Sequence, residues 1–144
     1  MVVRVDFALG ASNRFRTACE VVRKQYLAGR KLIIYHSDAR ELQRFDRLLW
    51  GFEPTAFVPH VMITDALAKQ TPVWLCQDPQ HLPSAPQADQ WLINLDANGP
   101  PLPSTFPRIL EIVSHQESDK QQARQRWRQY QQQGYDVRSH HLGQ

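Results

Sequence analysis

The sequence is poor in cysteine, with two in 144 residues, Cys19 and Cys76. Two thiols make neither a disulfide framework nor a metal cluster. Long apolar runs are missing too: none exceeds four residues, as in Leu32–Tyr35, against the roughly 18 that a membrane helix requires. The opening Met-Val-Val-Arg-Val-Asp lacks a signal-peptide pattern. These absences predict a reduced, cytoplasmic protein without a membrane partner. Charge of one sign is also scarce. Lys and Arg number 17 against 14 Asp and Glu, a net charge of +3, so composition alone does not imply nucleic-acid binding. What remains is ordinary: 42% hydrophobic and 22% charged residues. That excludes a disordered or fibrous chain. A chain of this length suits one domain, which on folding removes roughly two-thirds of its surface from water.

Val3, Val5 and Phe7 alternate with Arg4 and Asp6, the period of a strand. Gly10–Asn13 follows as a turn, and Ser12 or Asn13 can cap the next helix. Phe15, Cys19, Val22 and Tyr26 form the apolar stripe of that helix, which Gly29 is placed to end. Lys31–His36 is a short, β-branched apolar run of the kind buried on both sheet faces. Ser37 or Asp38 then caps a helix over 39–50, with Leu42, Phe45 and Leu49 as its stripe. This β-α-β-α start predicts an α/β fold whose first strands are parallel. Beyond it the pattern breaks at Pro54 and Pro59. Strands are predicted over 72–76, 90–95 and 108–115, joined by Pro- and Gln-rich surface loops at 77–87 and 96–107. A last helix spans about 118–133 and stops at Gly134. We therefore expect one domain over 1–138 and a flexible polar tail over 139–144, with a possible short pairing near 135–137.

Catalytic patterns are scarce. The turn after the first strand, Gly10-Ala11-Ser12-Asn13-Arg14-Phe15, is neither a dinucleotide fingerprint nor a P-loop, so no cofactor is expected. His36, His60, His81 and His115 have no second ligand at metal-binding spacing, and His140 and His141 fall in the tail. No metal site is expected. Cys19 and Cys76 read as small core residues. No serine has a nucleophile-elbow context, and the carboxylates stand singly. No catalytic residue is therefore assigned.

Cations and aromatics, by contrast, cluster. From Leu48 to Pro107 the only cation is Lys69, whereas Lys120–Gln133 holds Lys120, Arg124, Arg126 and Arg128 and no acid. On a helical wheel with Lys120 at zero, Arg124 lies near about +40°, Arg128 near about +80° and Trp127 near about −20°. Ala123 and Tyr130 fall near about −60° and −80°. A basic ridge thus adjoins an apolar edge, with Trp127 on the seam. Two readings stand: a solvated basic face with a core-anchoring Trp, or a recognition ridge for a phosphate or for an acidic peptide with an apolar anchor. A second cluster, Trp50, Phe52, Phe57 and Val58, is either a plug for the core or a docking surface. Leu82 and Leu102, in the Pro-rich loops, are weaker docking candidates.

Together, 29–34 (Gly-Arg-Lys-Leu-Ile-Ile), 48–50 (Leu-Leu-Trp), 57–60 (Phe-Val-Pro-His) and 123–130 (Ala-Arg-Gln-Arg-Trp-Arg-Gln-Tyr), with Gly134-Tyr135, resemble the chi subunit family of bacterial DNA polymerase III holoenzyme. The resemblance spans nearly the whole chain. It implies a three-layer α/β/α, Rossmann-like sandwich with a mostly parallel, mixed sheet and no working nucleotide-binding motif. It implies a non-catalytic adaptor that pairs with the psi subunit, which ties it to the clamp loader. The adaptor also binds the acidic, phenylalanine-terminated tail of single-stranded DNA-binding protein, so that its contact with DNA is indirect. A helicase is an alternative partner at the psi surface. By resemblance the tail-binding positions are Lys120, Arg124, Trp127 and Arg128, where the family commonly has a tyrosine at the place of Trp127. The psi-facing position is Phe57, with Trp50 in support. The rival functions are direct nucleic-acid binding through the same basic helix, and a small nucleotide-dependent enzyme.

Overall fold

Two short polar side chains start the first two helices. In the computed structural model, which describes residues 2–55 and 57–142, Asn13 accepts a hydrogen bond from the Arg16 N–H at 3.1 Å and opens α1 (Arg14–Leu27). Asp38 accepts from the Arg40 and Glu41 N–H groups and opens α2 (Ala39–Gly51). Each cap satisfies donors that the first helical turn leaves free. Gly29, with φ +85°, lies just beyond α1, in the left-handed conformation that costs glycine least.

The strands are β1 (Arg4–Ala11), β2 (Lys31–Tyr35), β3 (His60–Met62), β4 (Val73–Cys76), β5 (Gln90–Asn94), β6 (Arg108–Ser114) and β7 (Asp136–His141). They form one sheet in the order β3-β4-β2-β5-β6-β1-β7. Phe15, Cys19 and Val22 of α1 and Leu42, Phe45 and Leu49 of α2 pack with Leu32 and Ile34 on one face. Ile33 and Tyr35 point to the other face. There they meet Ala123 and Tyr130 of α3 (Glu117–Gln132). The result is the expected three-layer α/β/α sandwich.

The structure corrects several expectations. The sheet is not mixed: all six strand pairings are parallel. The irregular segments 63–72, 77–89 and 95–107 return the chain across the sheet as crossover helices would. These segments also complete the third layer. Leu82 and Leu102 are partly buried and pack against the core beside the buried Phe106. β3 was not anticipated; three residues after Pro59 show too little alternation to read as a strand. β1 runs on through the expected turn to Ala11, with a register shift between Leu9 and Ala11 that Gly10 absorbs at φ +86°. β7 reaches His141, so residues 139–141, expected in the polar tail, pair with Phe7, Ala8 and Leu9. Parallel pairing to a buried neighbour orders polar residues that have no apolar pattern of their own. Gly143 and Gln144, the end of that expected tail, lie outside the described residues.

Candidate functional site

Helix α3 is held to the sheet by a buried polar knot. Glu111, in the middle of β6, is fully buried. One of its oxygens accepts from Arg126 Nε at 3.0 Å. The other accepts from Tyr130 Oη at 2.6 Å and Asn94 Nδ2 at 2.9 Å. Arg126 Nη1 also donates to the Ala97 carbonyl at 3.0 Å. Burial pushes the Glu111 carboxyl up, while Arg126 and the hydrogen bonds oppose that shift. On the α3 wheel Arg126 lies near about −120°, some 160° from Arg124. Fixing Arg126 inward therefore turns Lys120, Arg124 and Arg128 away from the core.

The sequence reading leaves Arg126 off the ridge of Lys120, Arg124 and Arg128 but assigns it no partner. The signal was available. Glu111 interrupts the apolar run Ile109-Leu110-Glu111-Ile112-Val113, and a carboxylate within a doubly buried strand needs a partner.

Between α3 and the β1–β7 edge lies a cavity of about 480 Å³. Phe7, Leu9, Val113, Ala123 and Trp127 give it apolar walls. The Trp127 ring lies 5.0 Å from Phe7, tilted by 48°, and is only partly buried. Lys120 and Arg124 also line this cavity, with His115 and His141. Three of the four residues assigned to tail binding thus meet at one opening. The fourth, Arg128, is exposed on the same helix but does not line the cavity. Arg124 is partly engaged, its Nη1 lying 3.4 Å from Glu117 Oε1. Phe7, Leu9, His115 and His141 were not foreseen. β1 read as a core strand, and the wall supplied by β7 came from a segment read as tail.

The opposite edge of the sheet differs. Trp50, at the end of α2, and Phe57, just before β3, are 47% and 68% exposed, and their ring centroids are 5.5 Å apart. Trp50 also lies over His60, centroid to centroid 4.0 Å. His60 is buried, with Nδ1 2.7 Å from the Val58 carbonyl and Nε2 3.0 Å from the Asp46 carboxylate. Met62 and Leu67 are exposed nearby in the chain, on and just after β3. Of the second aromatic cluster, Phe52 and Val58 are buried, so they plug the core. Trp50 and Phe57 do not.

Elsewhere the chemistry is quiet. Burial pushes both the Cys19 and Cys76 thiols up to about 12, far from the thiolate that nucleophilic attack requires. Burial also lowers the pKa of His36, against the pull of Asp96. Among the described residues, no group of three or more His, Cys, Asp or Glu is placed to hold a metal ion. No helix there is long and apolar enough to cross a membrane.

The chain is 28% identical over 145 residues to a DNA polymerase III subunit chi of Pseudomonas aeruginosa, with 98% of each chain covered. It is 29% identical to the protein of that name from Haemophilus influenzae, covering 88% of this chain and 85% of the relative. For Escherichia coli the identity is 26%, with 89% and 85% covered. Residues 2–138 match the family model described as "DNA polymerase III chi subunit, HolC". With a match over nearly its whole length, the chain belongs to the DNA polymerase III chi subunit family.

Proposed function

We propose that this protein is a non-catalytic adaptor of the replicative DNA polymerase III holoenzyme. In this reading it joins the clamp-loader complex, through psi, to the acidic C-terminal tail of single-stranded DNA-binding protein. The observation that carries the reading is the cavity beside α3, where apolar walls meet a cationic rim. A peptide ending in phenylalanine presents the matching pair, a ring and a free carboxylate with acids before it. Lys120 and Arg124 would hold the carboxylates, Arg124 by its planar fork. Phe7, Ala123 and Trp127 would receive the ring. Arg128 would act on the acids outside the cavity. A contact that must break as replication advances suits micromolar affinity, about −8 kcal/mol.

Psi would dock on Trp50 and Phe57, where exposed aromatics can supply most of an interface's energy. The two surfaces lie at opposite edges of a seven-stranded sheet. Six strand spacings of about 4.8 Å put them roughly 29 Å apart, so both partners fit at once.

The test is a ternary complex. Co-purified chain and psi are titrated with an acidic peptide ending in Phe. The reading predicts a stoichiometric three-part complex with peptide affinity unchanged by psi. Displacement of one partner by the other would overturn it.

A further inference from the structure

Neither proposed docking surface uses a second cavity, larger than the one beside α3. A cleft of about 810 Å³ opens where β1 and β6 end side by side and the chain departs to opposite faces, into α1 and into α3. In open parallel sheets such a divergence is where ligands bind, and the volume is that of a small-molecule site.

The walls include Arg14, Arg44 and Arg47 against two carboxylates, Glu41 and Asp119. Both carboxylates are already engaged. Glu41 takes Arg44 Nη2 at 3.0 Å, and Asp119 accepts the Ser114 N–H at 2.7 Å. Arg14 is a fixed charge, donating to the Ile112 and Leu95 carbonyls at 2.8 and 2.9 Å, with its Nε 4.0 Å from Asp119 Oδ1. Arg47 is exposed, with no carboxylate at ion-pair distance among the described residues. Phe15 and Leu48 add apolar surface, and the Arg44 guanidinium lies 4.7 Å above the Phe15 ring.

We propose that this cleft binds a phosphomonoester, presented by a nucleotide or by the 5′ end of a nucleic-acid strand. Arginine forks match phosphate geometry, and Arg44 is braced over the buried Phe15 ring beside the partly buried Leu48. A glycine-rich loop is not required, because side chains would hold the phosphate. Gly10, the only glycine in 10–15, lines the other cavity instead.

The test measures equilibrium binding of four probes to the full chain: dAMP, deoxyadenosine, a 5′-phosphorylated single-stranded oligonucleotide and its 5′-hydroxyl twin. We expect each phosphorylated probe that binds to do so at least about tenfold more tightly than its unphosphorylated counterpart. Arg47→Ala and Arg44→Gln, checked for an unchanged melt, should each remove most of that difference. Preference for dAMP identifies a nucleotide as the source, and preference for the phosphorylated strand identifies a strand end. Equal binding with and without phosphate, no binding of any probe, or binding untouched by both variants overturns the proposal. Weakening of an acidic Phe-terminated peptide by Arg47→Ala would make the cleft an extension of the tail site, which also overturns it. Unaltered peptide binding alongside lost phosphate binding keeps the two sites separate.

Discussion

The two edges of the sheet are built from opposite chemistries. At the β7 edge, a helix stands away from the strands and leaves a hollow rimmed by Lys120 and Arg124 and walled by Phe7 and Trp127. At the β3 edge, Trp50 and Phe57 project from the surface, and Met62 and Leu67, on and just after β3, are exposed as well. A hollow with charge at its rim suits the end of a flexible acidic chain, bound weakly and released by salt. Projecting aromatics suit a folded partner bound for longer. Under the proposed function, the difference would let one small domain hold a permanent and a transient partner without interference, since sites this far apart respond to mutation independently.

The largest expected effect breaks one edge through the interior. Arg126→Ala leaves Glu111 buried without its cation and should cost about 3–5 kcal/mol in a denaturant melt. Where the variant remains folded, tail affinity should fall more than psi affinity, because the knot positions α3. Equal losses would place its role in the whole fold. Next, Phe57→Ala should weaken psi binding by at least about a hundredfold in co-purification or titration. It should leave the melt within about 0.5 kcal/mol of the parent, because the ring is exposed. Loss of tail binding by the same variant would erase the distinction between the edges. Smaller is the effect of salt. Between 50 and 200 mM, tail affinity should drop by roughly several-fold and psi affinity far less; parallel slopes would contradict the contrast. The smallest effect is that of acid on the β7 edge. Burial pushes the Asp6 carboxyl up, but His140, Arg4 and Arg108 outweigh it and hold the folded value low. Its stabilisation is therefore fully present above about pH 4 and is lost as pH falls through that lowered value. Asp6→Asn should flatten the acid limb of a stability profile, and an unchanged limb would remove this cluster from the account.

Much of the fold was legible because its first half repeats strong local signals. Asn13, Asp38 and Gly29 mark helix ends, and the stripes through Phe15 and Leu42 identify the buried faces. β3 and the end of β7 were not legible. Their order comes from parallel neighbours, and residues such as Ser139 and His140 have no strand pattern of their own. The ridge of Lys120, Arg124 and Arg128 could be read from helical spacing, as could the position of Trp127 on its seam. The hollow beside them could not. It needs Phe7 and Leu9 from one end of the chain and His141 from the other, brought together only by the β1–β7 pairing. The inward turn of Arg126 likewise depends on Glu111, 15 residues away.

The central claim is tested most directly by calorimetric titration of an acidic peptide ending in Phe into the parent chain and into Arg124→Ala. The account predicts micromolar binding to the parent and a loss of at least about tenfold, or about 1.4 kcal/mol, in the variant with its melt unchanged. Equal affinities for the two proteins would contradict it.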